Sequence, residues 1–93
     1  MEMGFDRFFE KRSRLEIAFR ILKMATKDKL KKTHIMYQCN LSYSSTVKYL
    51  KMLMEFGLIE TNKSNDEGIH YRITPKGLAV LRHFQELSEL LEA

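Results

Sequence analysis

The apolar residues of this chain change their spacing twice, and each change falls beside a residue that stops or starts a helix. From Leu15 to Leu53 they recur mostly three and four apart. Gly57 then intervenes, and Ile69, Tyr71 and Ile73 alternate with His70 and Arg72. Spacing of three and four puts side chains on one helix face, and spacing of two marks a half-buried strand. Thr74-Pro75 restores the helical period, because Thr caps and Pro suits the first helical position. Helices on both sides of one hairpin predict a mainly α fold with a small β-hairpin. At 93 residues the chain is expected to be a single domain, 1–93. Residues 1–12 read as an N-terminal extension, 13–73 as the core and 74–92 as a C-terminal helix.

The first helix is predicted from Ser13 to Ala25. Ser13 and Glu16 make the S-x-x-E pattern of a capping box. Leu15, Ala18, Phe19, Leu22 and Ala25 line one face, and Ile17, Ile21 and Met24 widen it. Only Glu16, Arg20 and Lys23 remain as a polar stripe, so this helix needs cover on more than one side. A short helix follows from about Thr33, its expected cap, to Cys39, with Asn40 ending it in the left-handed conformation. Ile35 and Met36 point inward, and Leu30 before them anchors a short strand or turn. The third helix runs from Tyr43 to Phe56 with Ser42 as N-cap and Gly57 beyond its end. Tyr43, Val47, Leu50 and Met54 are placed on its inner face. Leu58–Asn62 and Ile69–Ile73 are the predicted strands, joined by the polar loop Lys63–Gly68.

Charge is unevenly spread. Residues 1–36 carry 10 basic and 5 acidic groups, residues 37–93 carry 6 and 7, and the whole chain is +4. The densest run is KDKLKK at 27–32. A localised basic patch suits a polyanion, although a lysine run is equally a solvated face. The single cysteine, Cys39, rules out an intrachain disulfide and is expected to pack as a small apolar group. His34, His70 and His83 lie on separate elements without ligand spacing, so no metal site is expected. No glycine-rich phosphate loop, nucleophile elbow or paired-carboxylate constellation points to an enzyme, a cofactor or a small-molecule ligand. No apolar run spans a bilayer and no signal peptide opens the chain, so a cytoplasmic protein is expected.

Helix, short helix, longer helix, hairpin, helix is the winged helix-turn-helix order. The stretch KKTHIMYQCNLSYSSTVKYLKMLMEFGLIE at 31–60, followed by YRITPKG at 71–77, resembles the small archaeal winged-helix DNA-binding regulators. It is similar also to the ten-kilodalton archaeal chromatin proteins of that fold, in which a C-terminal helix pairs two subunits. The likeness covers about residues 13–91. It implies double-stranded DNA binding, with the third helix in the major groove, and homodimerisation. The final helix is shorter than the coiled coil of the chromatin proteins, and the first twelve residues, with Phe5, Phe8 and Phe9, match nothing in the family.

On the third helix the wheel turns Ser45, Lys48, Tyr49 and Met52 away from the core, with Ser44 and Lys51 beside them. Ser and Lys can donate to phosphates and base edges, and Tyr and Met can meet thymine methyls. Lys31, Lys32 and Thr33 stand where the second helix begins, a place that favours anions. Lys63 and Arg72 are the candidate wing contacts, opposed by Asp66 and Glu67. For a dimer interface, Val80, Phe84, Leu87 and Leu91 form a seam on the last helix, with Leu78 and Leu81 facing the core and Ile17 and Ile21 of the first helix completing the contact. Three functions remain open at this point: a sequence-specific regulator, an architectural DNA protein and a protein–protein module. The small net charge and the acidic wing tip favour the first over the second.

Overall fold

The computed structural model describes residues 14–27, 29–64 and 68–92. In chain order these form α1, helical over residues 14–24, α2 (Lys32–Cys39), α3 (Tyr43–Glu55), β1 (Ile59–Ser64), β2 (Gly68–Ile73) and α4 (Pro75–Glu92). The expected element order is present: a mainly helical fold with one antiparallel hairpin. Ser13, Phe5, Phe8 and Phe9 lie outside the described residues.

Local chemistry accounts for the boundaries. Asn40 closes α2 in the left-handed region at φ 52° and ψ 51°, which Asn tolerates. Ser42 caps α3, its Oγ accepting the N–H of Ser45 at 3.1 Å. The other end of α3 is a Schellman turn: Leu58 N–H donates to Leu53 O and Gly57 N–H to Met54 O, both at 2.9 Å, with Gly57 at φ 73°. The expected cap of α2 is corrected. Lys31, not Thr33, occupies the N-cap position in extended backbone. Leu30 is bridged to Tyr71, whose N–H donates to Leu30 O at 2.8 Å. This fixes where the extended segment stops, so the helix starts at once and leaves Thr33 inside its first turn, exposed.

Every element contributes to one core. Ala18, Ile21, Leu22 and Ala25 of α1 and its end meet Leu30, Ile35, Leu50, Leu53, Ile59, Tyr71 and Leu81. Ile21, Leu22, Ile35, Leu50 and Leu53 are its largest apolar side chains with almost no exposure, each contributing about 1.5–3 kcal/mol by burial. Ile21, expected at a dimer interface, is therefore committed to its own chain.

The hairpin pairs Ile59 with Ile73 and Ser64 with Gly68. Its alternation departs from expectation. Tyr71 is buried as expected, but so is His70, at 4 % exposure, while Ile69 is 51 % exposed. Ile69 shares the face of Tyr71 but lies two residues nearer the hairpin tip, past the edge of the core. His70 is buried because the strand is covered on both faces at this level.

The start of α4 is strapped to the end of α3. Gly77 N–H donates to Thr74 Oγ1 at 2.9 Å, that hydroxyl donates to Gly57 O at 2.6 Å, and Lys76 Nζ donates to Phe56 O at 2.8 Å. Gly77 and Leu81 face inward, and Leu78, expected in the core, is exposed. The reason is its position one step beyond Gly77, about 100° around the helix. Phe84, read as part of an intersubunit seam, is half-buried and stacks on Phe19 of its own chain, ring centroids 3.7 Å apart and planes 5° from parallel. Val80 and Ile17 are half-buried, whereas Leu87, Leu90 and Leu91 are exposed. Among the described residues no helix is long and apolar enough to cross a membrane.

Candidate nucleic-acid interface

The surface of α3 is set by which residues it buries. Those are Thr46, Leu50 and Leu53. Thr46 was not expected inside, yet it has no exposure, and its Oγ1 donates to Ser42 O at 2.9 Å. That bond satisfies the hydroxyl and makes a polar residue acceptable at the centre of the buried stripe. The whole helix is consequently turned by about 60° from the wheel drawn on apolar residues alone. Tyr43 and Met54, expected inward, are exposed. Tyr49, expected outward, is half-buried against the core.

After this rotation the solvent face carries Ser44, Lys48 and Lys51 in one stripe, all exposed, with Glu55 at its far end. Met52 stands at the side of the stripe. Ser45, Tyr49 and Met52 turn toward α1, where they line a groove with Arg14, Leu15, Ala18 and Lys48. The stripe presents two ammonium groups and a hydroxyl without an acidic neighbour in its first two turns. A protruding helix of this chemistry can donate to a phosphate backbone and to base edges.

The beginning of α2 lies beside the beginning of α3. Lys32 holds its ammonium over the ring of Tyr43, 5.5 Å from the centroid, a contact of about 0.5–1 kcal/mol. Tyr71 first, and Tyr43 after it, push the Lys32 ammonium above the ordinary lysine pKa, against the opposing effect of burial. Lys32, half-buried as a residue, thus leans its ammonium toward Tyr43 at the start of α3. Lys31 and Thr33 beside it are exposed. Sequence reasoning missed Tyr43 as part of this surface. Its position directly after the capping Ser42 was the available signal, since the first helical residue sits at the rim of the core.

The wing candidates are less concentrated. Arg72 is exposed as expected, but its Nε donates to Glu60 Oε1 at 2.7 Å across the hairpin, so part of its charge is already matched. Lys63 is exposed three pairs nearer the tip, opposite Ile69. Asn65, Asp66 and Glu67 lie outside the described residues. Val80, Leu87 and Leu91 are separate from all of these, on α4.

Cys39 packs half-buried against the core. Burial pushes its thiol up from the usual value, and Arg20 only partly offsets this, which is the opposite of an activated thiolate. Among the described residues no three His, Cys, Asp or Glu side chains come close enough to hold a metal ion.

Comparison with known proteins places this arrangement. The family model described as winged helix-turn-helix matches residues 11–92. An uncharacterized protein of Methanocaldococcus jannaschii, MJ0290, is 35% identical over 81 residues, which are 87% of this chain but 36% of that protein. The chain thus spans about a third of that relative's length. A second uncharacterized protein of the same organism, MJ0287, is 31% identical over 83 residues, 89% of this chain and 80% of that one. Among solved structures, the transcriptional regulator BldR from Sulfolobus solfataricus superposes with a TM-score of 0.74 at 18% identity, covering 97% of this chain and 78% of that one. At that identity the likeness concerns the fold.

Proposed function

Because this chain belongs to the winged helix-turn-helix family, we propose that it binds double-stranded DNA as a homodimeric transcriptional regulator, with α3 in the major groove. The observation that carries this reading is the exposed stripe of Ser44, Lys48 and Lys51 on a helix anchored from behind by Thr46, Leu50 and Leu53. Lys31, Lys32 and Thr33 contact the backbone where α2 begins, and Lys63 and Arg72 make weaker contacts from the hairpin. The organisation is that of a recognition helix positioned by a helix crossing the phosphates. A duplex enriched from a random pool should bind at least about a thousandfold tighter than a scrambled duplex near 0.15 M salt. Equal affinity for both, with a steep salt dependence, would instead fit an architectural protein. No binding to either duplex at low salt would leave the protein–protein reading.

The dimer rests on α4. Leu87, Leu90 and Leu91 are 53 %, 75 % and 76 % exposed. An apolar run of this kind at the end of a helix is costly in water and suits a symmetric contact between two copies. Phe84 is a poor probe of that contact, since it also holds α4 to α1 through Phe19. The informative variant is Leu87→Glu with Leu91→Glu. Sedimentation at tens of micromolar should give twice the chain mass for the natural sequence and a single chain mass for the variant. A monomeric natural sequence would remove the dimer, and an unaffected variant would move it off α4.

A further inference from the structure

Lys32 and Tyr43 are the first residues of successive helices, α2 and α3. Lysine is a poor choice there for helix stability. The first turn of α2 holds no acidic residue, and Lys31 and Lys32 both stand at the positive end of its dipole. Lys32 is met instead by an aromatic neighbour on the next helix, its ammonium 5.5 Å from the centre of the Tyr43 ring. Its backbone is set from another side. Tyr71 N–H donates to Leu30 O at 2.8 Å, which ends the extended segment just before α2. Tyr71 is buried in the core, whereas Tyr43 is 59 % exposed and no part of it. The Tyr43 ring is therefore not spent on packing, and the contact that the structure gives it is with Lys32.

We propose that Tyr43 is a positioning residue of the DNA interface, acting through Lys32 by holding its ammonium at the junction of α2 and α3, where that ammonium meets a phosphate of the duplex. The inference rests on the DNA-binding reading above. An ammonium donates from more than one N–H, so contact with a ring leaves donors for a phosphate oxygen. A lysine that is loose in the free protein must be ordered when it binds. One already leaning on a ring avoids part of that cost, a gain of about two- to tenfold in affinity. The counterions released on binding depend on the charge that neutralises the phosphate. Tyr43 should therefore act on affinity, and the salt dependence should belong to Lys32.

The test is a cycle of Lys32→Met, Tyr43→Leu and the double variant in the full-length chain, titrated with one enriched duplex from 50 to 200 mM salt. Lys32→Met should weaken binding roughly tenfold near 0.1 M salt and lower the slope by about one unit. Tyr43→Leu should weaken it about two- to tenfold and leave the slope unchanged. The double variant should match Lys32→Met alone, since without the ammonium the ring has nothing to position. Neither residue lies in the core, so the melting curves should coincide with that of the natural sequence. Additive losses in the double variant would mean that Tyr43 touches DNA itself and would overturn the inference, as would full affinity in Tyr43→Leu. A second measurement needs no DNA: the free protein should show a nuclear Overhauser contact between the Lys32 ε protons and the Tyr43 ring. Its absence would overturn the inference and leave the DNA reading standing. With that contact present, unchanged binding in Lys32→Met would take this lysine out of the interface, and no duplex binding by the natural sequence would end the DNA reading; the inference falls in either case.

Discussion

Gly77→Ala is expected to destabilise the protein by about 3 kcal/mol or more, which for a domain of this size is a fall in Tm of at least about 12 °C. A Cβ at this position would overlap the backbone carbonyl oxygen of Leu58 and lie 2.7 Å from Cγ1 of Ile73. The first obstacle is main chain and has little room to move. Leu58 O accepts from Thr74 N–H at 3.0 Å, and Leu58 N–H closes the turn at the end of α3. Relieving the overlap therefore means lifting α4 from the strap formed by Thr74 and Lys76, or opening the turn that orients α3. The other described glycines provide the contrast. Gly57 and Gly68 sit at φ 73° and 78°, and a Cβ there would meet only Lys76 Cδ at 3.9 Å or nothing. Alanine at either costs backbone strain alone, about 1–2 kcal/mol. Thermal unfolding followed by circular dichroism at one fixed protein concentration ranks the three, the fixed concentration removing the contribution of self-association. A Gly77→Ala variant melting within a few degrees of the natural sequence would contradict the close packing of α4 on the Leu58 turn.

Much of this architecture was legible in the sequence because it is written in local chemistry. Ser42, Asn40, Gly57 and the Thr74-Pro75 pair each set a boundary through one or two hydrogen bonds or a backbone preference, and all four behave as their residue type dictates. The faces of the elements were less legible, because a face is decided by what comes to lie against it. Thr46 shows this best. A threonine counts as polar in a periodicity, yet its hydroxyl is satisfied within its own helical turn, and the buried stripe of α3 centres on it. The same cause hides His70, which reads as the outward partner of Tyr71 until the second face of β2 is covered. Leu78 and Ile69 err in the opposite direction, as apolar residues beyond the reach of a small core. Ile21 and Phe84 were assigned to a partner because α1 and α4 looked too apolar for one neighbour. Ile21 is enclosed by the core of its own chain, and Phe84, half-buried, already has Phe19 of α1 as a neighbour, so part of that apolar surface is covered within one chain. The lysines of the candidate interface survived this rotation because a long charged side chain stays at the surface over a wide range of angles. Ser45 and Tyr49, shorter or more apolar, moved to the α1 side.

Replacing Lys48 and Lys51 together by alanine is expected to weaken duplex binding by roughly tenfold per lysine near 0.1 M salt and to lower the slope of log affinity against log salt by about two units. Both side chains are exposed, and neither lies in the core. The melting curve should therefore be unchanged, and any loss of affinity belongs to the interface. Arg82→Ala is the single-charge control: it removes one exposed charge from α4, an element outside the proposed DNA contacts, and should leave the slope as it was. The direct test of α3 as the DNA-reading helix is this slope, measured from 50 to 200 mM salt on one duplex for the natural sequence, the double variant and the control. A slope reduced by about two in the double variant alone is the result expected. An unchanged slope in the double variant, or a reduction of about one unit in Arg82→Ala, would contradict the placement of α3 in the groove.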